Sequence, residues 1–463
     1  STALSTSQTI LSSDVSGLTI GKASSSDGNS DADVTLGSST SISGPITVYG
    51  GIITLDANLT TTNNGDISLY TDNALGGLST ARTLTASGAF KYIPGGTAFT
   101  TDVSYPITNL TATSTGLTIG KSGNDKDITI NTEISGDTGV ELYGNELNIN
   151  DNINVTNTGN LIFEGTATIK AGKYIASGGN FTHDGDLVFK SDAANGDSYL
   201  GEIGGTYTKV AGTVTSEKYY PEKRAFRMVS SPVNGGSIFD NWQNAGANEA
   251  GIGTHITGEI APALEDVGDF NATTGIDYTQ SGAPSLFSFS ATNGWEAITN
   301  TKNTNLEVGV PYRLMVRGDR GVDLNSNTSE SATVLVSQGN LVVGNQSINP
   351  ATAGSTTFYS ILANPYQSRI DVNDLLNGNS GNANVNFYYV WDPMVNTRGG
   401  FVTVTDLATG GTPTLGTANK FVGPGESFFI RANTNNPNLQ FTESMKDVSN
   451  LSPSPESVSQ HPQ

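Results

Sequence analysis

The sequence predicts an all-β protein: an N-terminal parallel β-solenoid-like repeat region followed by a jelly-roll-like β-sandwich. Three observations predict it. Short apolar alternations are separated by Gly, Asn and Asp, a long internal repeat fills the first half, and composition changes near Thr215. The expected organisation is residues 1–214 as a repetitive stalk, 215–446 as the sandwich, and 447–463 as a disordered tail.

Composition comes first. At 463 residues the chain can hold two or three domains, each with a real core. Hydrophobic residues make up 35% and charged residues 14%, while Gly, Ser, Thr, Asn and Asp dominate the rest, which suits short strands joined by turns. The net charge of −21 leaves no basic surface for a phosphate backbone, so nucleic acid is excluded as a partner. With no cysteine, the fold must be held by backbone ladders and packing. No apolar stretch of about 18 residues occurs, so no membrane span is expected. Ser1 to Thr9 lack the regions of a signal peptide, so an exported chain is expected to be numbered from after processing or from inside a longer precursor.

The repeat is carried by identity. Gly17-Leu18-Thr19-Ile20-Gly21-Lys22 returns as Gly116-Leu117-Thr118-Ile119-Gly120-Lys121, an offset of 99. Ile46-Thr47-Val48-Tyr49-Gly50 answers to Val140-Glu141-Leu142-Tyr143-Gly144, and Asn63-Asn64-Gly65 to Asn157-Thr158-Gly159, both at an offset of 94. The lost residues fall in one loop, Ala23 to Asp33 in the first copy and Ser122 to Asp127 in the second. Loops tolerate such changes and ladders do not. Within each copy, runs such as Ile52–Leu55, Ile67–Tyr70, Leu147–Ile149, Leu161–Phe163 and Leu187–Phe189 read as strand, corner, strand. Stacked coils with apolar residues alternating into a narrow interior satisfy this pattern; an array of β-sandwiches of about 95 residues each is the rival.

Beyond Thr215 come all three tryptophans and most of the arginines and prolines. Strands are expected at Ala225–Val229, Ser285–Phe289, Tyr312–Val316, Thr357–Leu362, Phe387–Trp391 and Ser427–Ile430, with helical turns only at Ser237–Gln243 and Val372–Asn377.

Few residues carry chemistry. His183, in Thr182-His183-Asp184-Gly185, and His461, in the tail, are expected to be solvated; His255 is expected to be buried and hydrogen-bonded. Asp184 and Asp186 flank Gly185 as a paired-carboxylate candidate for polysaccharide cleavage, but that spacing also has a purely conformational reason in turns. Trp242, Trp295 and Trp391 could stack on sugars, yet each lies in or beside an apolar run and is expected in a core. Calcium has one candidate site. Asp27, Asn29, Asp31 and Asp33 place oxygens at alternate positions, although Ser38 replaces the acid expected at position 12 of such a loop.

The second region carries the motifs Tyr219-Tyr220-Pro221, Arg224-Ala225-Phe226-Arg227, Ser230-Ser231-Pro232-Val233, Gly253-Thr254-His255-Ile256-Thr257-Gly258, Tyr312 to Asp319, Ala363-Asn364-Pro365-Tyr366, Tyr389-Val390-Trp391-Asp392-Pro393 and Gly423-Pro424-Gly425-Glu426-Ser427-Phe428-Phe429. On these motifs it resembles a module near the C-termini of large cell-surface adhesins and gliding-type proteins of Bacteroidetes, exported by the type IX secretion system. The first half is similar to the repetitive stalk that precedes such a module. The resemblance implies a non-catalytic, extracellular protein on the outer surface of a Gram-negative bacterium, serving adhesion, gliding or filament assembly. Its partners would be other surface proteins, glycans or copies of itself, with the type IX machinery during export. A carbohydrate-binding module is the alternative, and a polysaccharide-active enzyme the third. No sorting domain of that family follows Met445.

Overall fold

A computed structural model describes residues 4–5, 11–12, 15–23, 32–326, 328–352, 359–397 and 399–449. With 45% strand and 5% helix the protein is all-β, and it contains a parallel β-solenoid of about 11 turns. It divides into two compact units, Ser1–Lys170 with Tyr174–Leu187 and Glu202–Gly212, and Ala171–Lys173 with Val188–Gly201 and Thr213–Gln463.

In the first unit the described coils contribute short strands to three parallel faces. Along the first face Leu18 lies beside Ile46, then Ile67, Phe90, Leu117, Val140, Leu161 and Phe181 in unbroken register. Strands such as Ile53–Leu55 and Ile128–Ile130 build the second face, and Leu59–Thr61, Arg82–Thr85 and Leu110–Thr113 the third. A coil takes roughly 20 to 28 residues, the short end of the range for solenoid repeats. Alternation explains the interior. Ile46, Val48, Ile53, Leu55, Ile67, Leu69, Leu142 and Ile149 are completely or almost completely buried, while Thr47, Thr54 and Ser68 alternate with them. Each buried aliphatic side chain contributes about 1.5–3 kcal/mol relative to exposure. Outside, Tyr49 and Tyr70 stack with ring centroids 4.6 Å apart.

Corners are closed by columns of glycine. Gly165 and Gly185 have φ of 123° and 127°, which L side chains rarely adopt, and a Cβ at Gly185 would lie 2.4 Å from the carbonyl oxygen of Gly165 one coil below. Gly212 meets the Gly185 oxygen in the same way at 2.1 Å. Asparagine side chains link neighbouring corners: Asn160 Oδ1 accepts from the Asn180 amide at 2.9 Å, and Asn180 Oδ1 from the Thr206 amide at 2.8 Å. Replacing Gly185 with Val is therefore expected to destabilise the protein by about 2–4 kcal/mol through strain and overpacking. Urea denaturation of the two proteins checks this, and an unchanged midpoint would count against the corner column.

The second unit is mainly antiparallel, with a parallel pair at Thr257–Ile260 and Asp277–Thr279, and has three cores among the described residues. Tyr220, Trp242, Ile276, Leu286, Leu314 and Leu335 form the first, between the sheet carrying Val214–Tyr220 and Thr333–Leu341 and the sheet carrying Ala225–Val229, Tyr312–Val316, Leu286–Ser290 and Gly294–Ala297. Met228, Ile361 and Phe429 form a small second core, edged by half-buried Phe289, Trp295, Tyr389 and Trp391. The third lies under the strands Tyr359–Ala363, Ser427–Arg431, Tyr388–Asp392 and Gly400–Thr405 and includes Leu362, Leu376, Val404, Phe428 and Phe441. Val372–Gly378 is the α-helix of this layer, capped by Asp371, whose side chain accepts from the Asn373 amide. The helical turn expected at Ser237–Gln243 is a run of turns ending in a 3-10 helix at Asn244–Gly246.

Candidate functional site

Of the calcium-loop residues, Asp27, Asn29 and Asp31 lie outside the described residues, as do His461 and the tail beyond Ser449. Asp33 is exposed, and its Oδ1 accepts from the Ile52 amide at 3.0 Å. Among the described residues no group of three or more His, Asp or Glu could hold a metal ion.

His183 corrects the expectation of a solvated turn. It sits on the strand Phe181–Asp184, points into the solenoid and has no exposed surface. Its Nδ1 lies 2.9 Å from the Gly185 carbonyl and its Nε2 2.8 Å from the Tyr207 hydroxyl. A carbonyl only accepts, so Nδ1 carries the hydrogen and Nε2 accepts from Tyr207. Burial pushes the Tyr207 phenol up, which keeps it a donor. Turn composition misled the sequence reading because the strand ends one residue later, at the Gly185 corner. That corner also gives the Asp184 and Asp186 pair its conformational reason.

Burial also lowers the His183 pKa below 6.5, reinforced by Lys209 and opposed by the Gly185 hydrogen bond, Asp184 and Asp186. Its contribution to stability is complete above 6.5, where the unfolded chain is also neutral, and falls as the unfolded chain takes up a proton first. Between pH 7.5 and 5.5 the wild type should lose more stability than His183→Gln. Paired urea melts at the two pH values measure the difference, and equal losses would refute the assignment.

His255 is buried, as expected, within a network centred on Asp277. Arg320 grips Asp277 with two nitrogens at 2.8 and 2.9 Å, while the Ile256 amide and Gln243 Nε2 donate to Oδ2 at 2.7 and 2.9 Å. His255 Nε2 donates to the Arg320 carbonyl at 2.9 Å, and its Nδ1 stands 3.5 Å from Asp277. Burial alone would raise the Asp277 carboxyl, but His255 and Arg320 outweigh it and hold the pKa below the usual value. A second network joins Lys218 to two carboxylates, Asp197 and Glu426, each at 2.7 Å. Both networks are sealed from solvent, the arrangement of structural pins, although Gln243 Oε1 and Arg320 Nε in the first have no hydrogen-bond partner.

Trp242 is core, donating to Ser337 Oγ at 3.0 Å. Trp295 and Trp391 are only half-buried, at the edge of the small second core. Trp391 contacts exposed Phe401 at 81°, and Phe289 contacts Trp295 at 72°. Rings set edge to face pack one another instead of offering a flat platform to a sugar.

A different feature has the geometry of a site, and the sequence reading missed it. On the first solenoid face Ala89, Gly116 and Gly139 are register partners in three successive coils. Ala89 and Gly139 line a trough of about 430 Å³ on this face, while the space over buried Gly116 is taken by Thr138 Oγ1, 2.4 Å from where a Cβ would lie. Lys91, Thr118 and Glu141, two residues further along the same strands, form one wall; Ser87, Thr115 and Thr138 hydroxyls line the other. Asp66 closes one end, accepting from the Ala89 amide at 2.8 Å and pairing with Lys91 at 2.7 Å. Tyr143 donates to Glu141 at 3.3 Å; burial and Glu141 push its phenol up to about 12, so it remains a donor at neutral pH. Thr118, 9% exposed, also lines the trough.

What the fold defines is a class: a parallel β-solenoid unit and an antiparallel β unit within one chain. No family model, curated protein or solved structure matches it.

Proposed function

We propose that this chain is a non-catalytic structural or adhesive protein of the outer cell surface of a Gram-negative bacterium, exported by a type IX pathway. The solenoid serves as a stiff stalk, and residues 215–446 serve as a jelly-roll-like contact module for other surface proteins, glycans or further copies of the chain. The observation that supports this reading is the solenoid of about 11 turns, whose filled interior and glycine-closed corners make a stiff spacer. Its polar outer residues and the charge of −21 suit a solvated surface. The family motifs converge on structural joints as well. Asn364 donates to the Ser368, Val422 and Gly423 carbonyls at 2.7, 3.1 and 2.9 Å, tying the Asn-Pro-Tyr segment to the Gly-Pro-Gly-Glu segment. Immunogold electron microscopy on intact cells of the source bacterium tests the reading. Labelling of unpermeabilised cells is expected; labelling that appears only after permeabilisation would reject it.

A further inference from the structure

We infer that Lys218 and Asp197 condense to an amide, an intramolecular isopeptide bond, with Glu426 as the proton carrier. Lys218 lies on the strand Val214–Tyr220, and Asp197 ends the small hairpin in which Ser191 pairs with Asp197 and Asp192 with Gly196, all within the second unit. Lys218 Nζ is 2.7 Å from Asp197 Oδ2 and 2.7 Å from Glu426 Oε1, and the three side chains are 8%, 1% and 6% exposed. A nitrogen one hydrogen bond from a carboxyl oxygen stands about 3–3.5 Å from the carboxyl carbon, the separation at which held reactants gain most from proximity. Lys91–Asp66 and Lys190–Glu217 have the same contact but lie open to water, which favours the ions over the amine and the acid.

Burial inverts that preference. Moving one proton along the hydrogen bond from Nζ to Oδ2 turns two ions into a neutral amine and a carboxylic acid, and a dry site favours neutral forms. Burial, with Glu426 beside it, already raises the Asp197 carboxyl, while Lys218 pulls the other way. Burial lowers the Lys218 pKa and the two carboxylates raise it well above 10.5, so the amine comes from this internal transfer and not from bulk pH. Nζ then attacks Cγ. Ser191 Oγ donates to Oδ1 at 2.8 Å and stabilises the negative charge that develops there, so Oδ1 becomes the amide oxygen. Glu426 takes a proton from the attacking nitrogen and returns it to the Oδ2 hydroxyl, which leaves as water; its Oε2 is held by the Gly423 amide at 2.9 Å. The C–N bond forms, the C–Oδ2 bond breaks, one water is released, and Glu426 ends as the carboxylate it began as. A cavity of about 10 Å³ lined by Lys218, Ser216 and Ser230 adjoins the nitrogen, room for about one water. The ionic triad described above is the reactant, and its energetics are those of the chain before condensation. In a chain without cysteine, the bond plays the part of a disulfide, closing a loop between positions 21 apart.

This inference stands apart from the cell-surface reading, since the chemistry needs only the folded second unit. The experiment is denaturing mass spectrometry of the intact full chain, purified in the folded state. The wild type should weigh about 18 Da less than its sequence, the mass of one water. Lys218→Arg, Asp197→Ala and Glu426→Gln should each keep the full sequence mass. A tryptic digest of the wild type locates the bond: cleavage after Lys218 should be lost, and peptides 191–209 and 210–223 should travel as one branched species. Full sequence mass in the wild type, or cleavage after Lys218, would overturn the inference. So would a water loss that persists in Lys218→Arg, as cyclisation at an Asp-Gly pair would give. Condensation at the wild-type level in Glu426→Gln would overturn its role as proton carrier. Should the variants fail to fold, the digest of the wild type decides alone.

Discussion

Replacing Lys218 with Met should destabilise the protein by about 3–5 kcal/mol, the range for removing one partner of a buried ion pair. The ammonium bridges Asp197 and Glu426, and all three side chains are less than a tenth exposed. Without it, two carboxylates are left facing each other out of water. Asp197 would retain Ser191 Oγ at 2.8 Å, and Glu426 the Gly423 amide at 2.9 Å. Burial lowers the Lys218 pKa, but the two carboxylates outweigh it and hold it well above 10.5. Its stabilisation is therefore complete below pH 10.5 and is lost as pH rises through the folded value. Burial pushes the Asp197 carboxyl up and Glu426 adds to that, with Lys218 pulling the other way. The triple variant Asp197→Asn, Lys218→Met, Glu426→Gln should recover much of the loss, because it removes the charges together. Chemical denaturation of the single and triple variants measures both; a single variant within about 1 kcal/mol of wild type would show that the triad is not a pin.

Asp277→Ala should cost at least as much. The substitution orphans the Arg320 guanidinium, which has no exposed surface, and removes the acceptor for the Ile256 amide and Gln243. Losses of about 3–5 kcal/mol follow from the buried cation alone, with the unsatisfied donors adding to them. Since the folded Asp277 pKa lies below 3.8, its contribution is complete above 3.8 and disappears as pH falls through the lower folded value. A steep acid limb in the wild-type stability profile, flattened in Asp277→Asn, is the expected signature. Preservation of that limb in the variant would show that another group carries it.

What was legible in the sequence follows from how local each feature is. Alternation is local, so the strands Ile67–Tyr70, Ala225–Val229 and Tyr312–Val316 have the bounds expected of them, and solenoid coiling follows from the same pattern. The coil itself was not legible. Leu18 and Leu117 are four coils apart in the register, as are Ile46 and Val140, so the visible repeat is a four-coil block. Adjacent coils share only apolar character and corner glycines across loops of unequal length, which leaves no identity to align. The trough was hidden for the same reason: Ala89, Gly116 and Gly139 become neighbours only once the register is known. Buried networks are less local still. Lys218 meets Asp197 from 21 residues away and Glu426 from 208, and no single sequence marks such partners. His183 shows the opposite error, where a turn-like neighbourhood concealed an inward-facing strand position.

The four-coil block also says how such a solenoid can lengthen. Any copied segment that begins and ends at the same corner presents the same interior cross-section at both cut ends, so it can be spliced in without rebuilding its neighbours. At about 4.8 Å per coil, one such insertion adds about 19 Å of height. Solenoid length would thus change in discrete increments when such a block is copied, and the differing loop at Ser122–Asp127 leaves the ladder beside it intact.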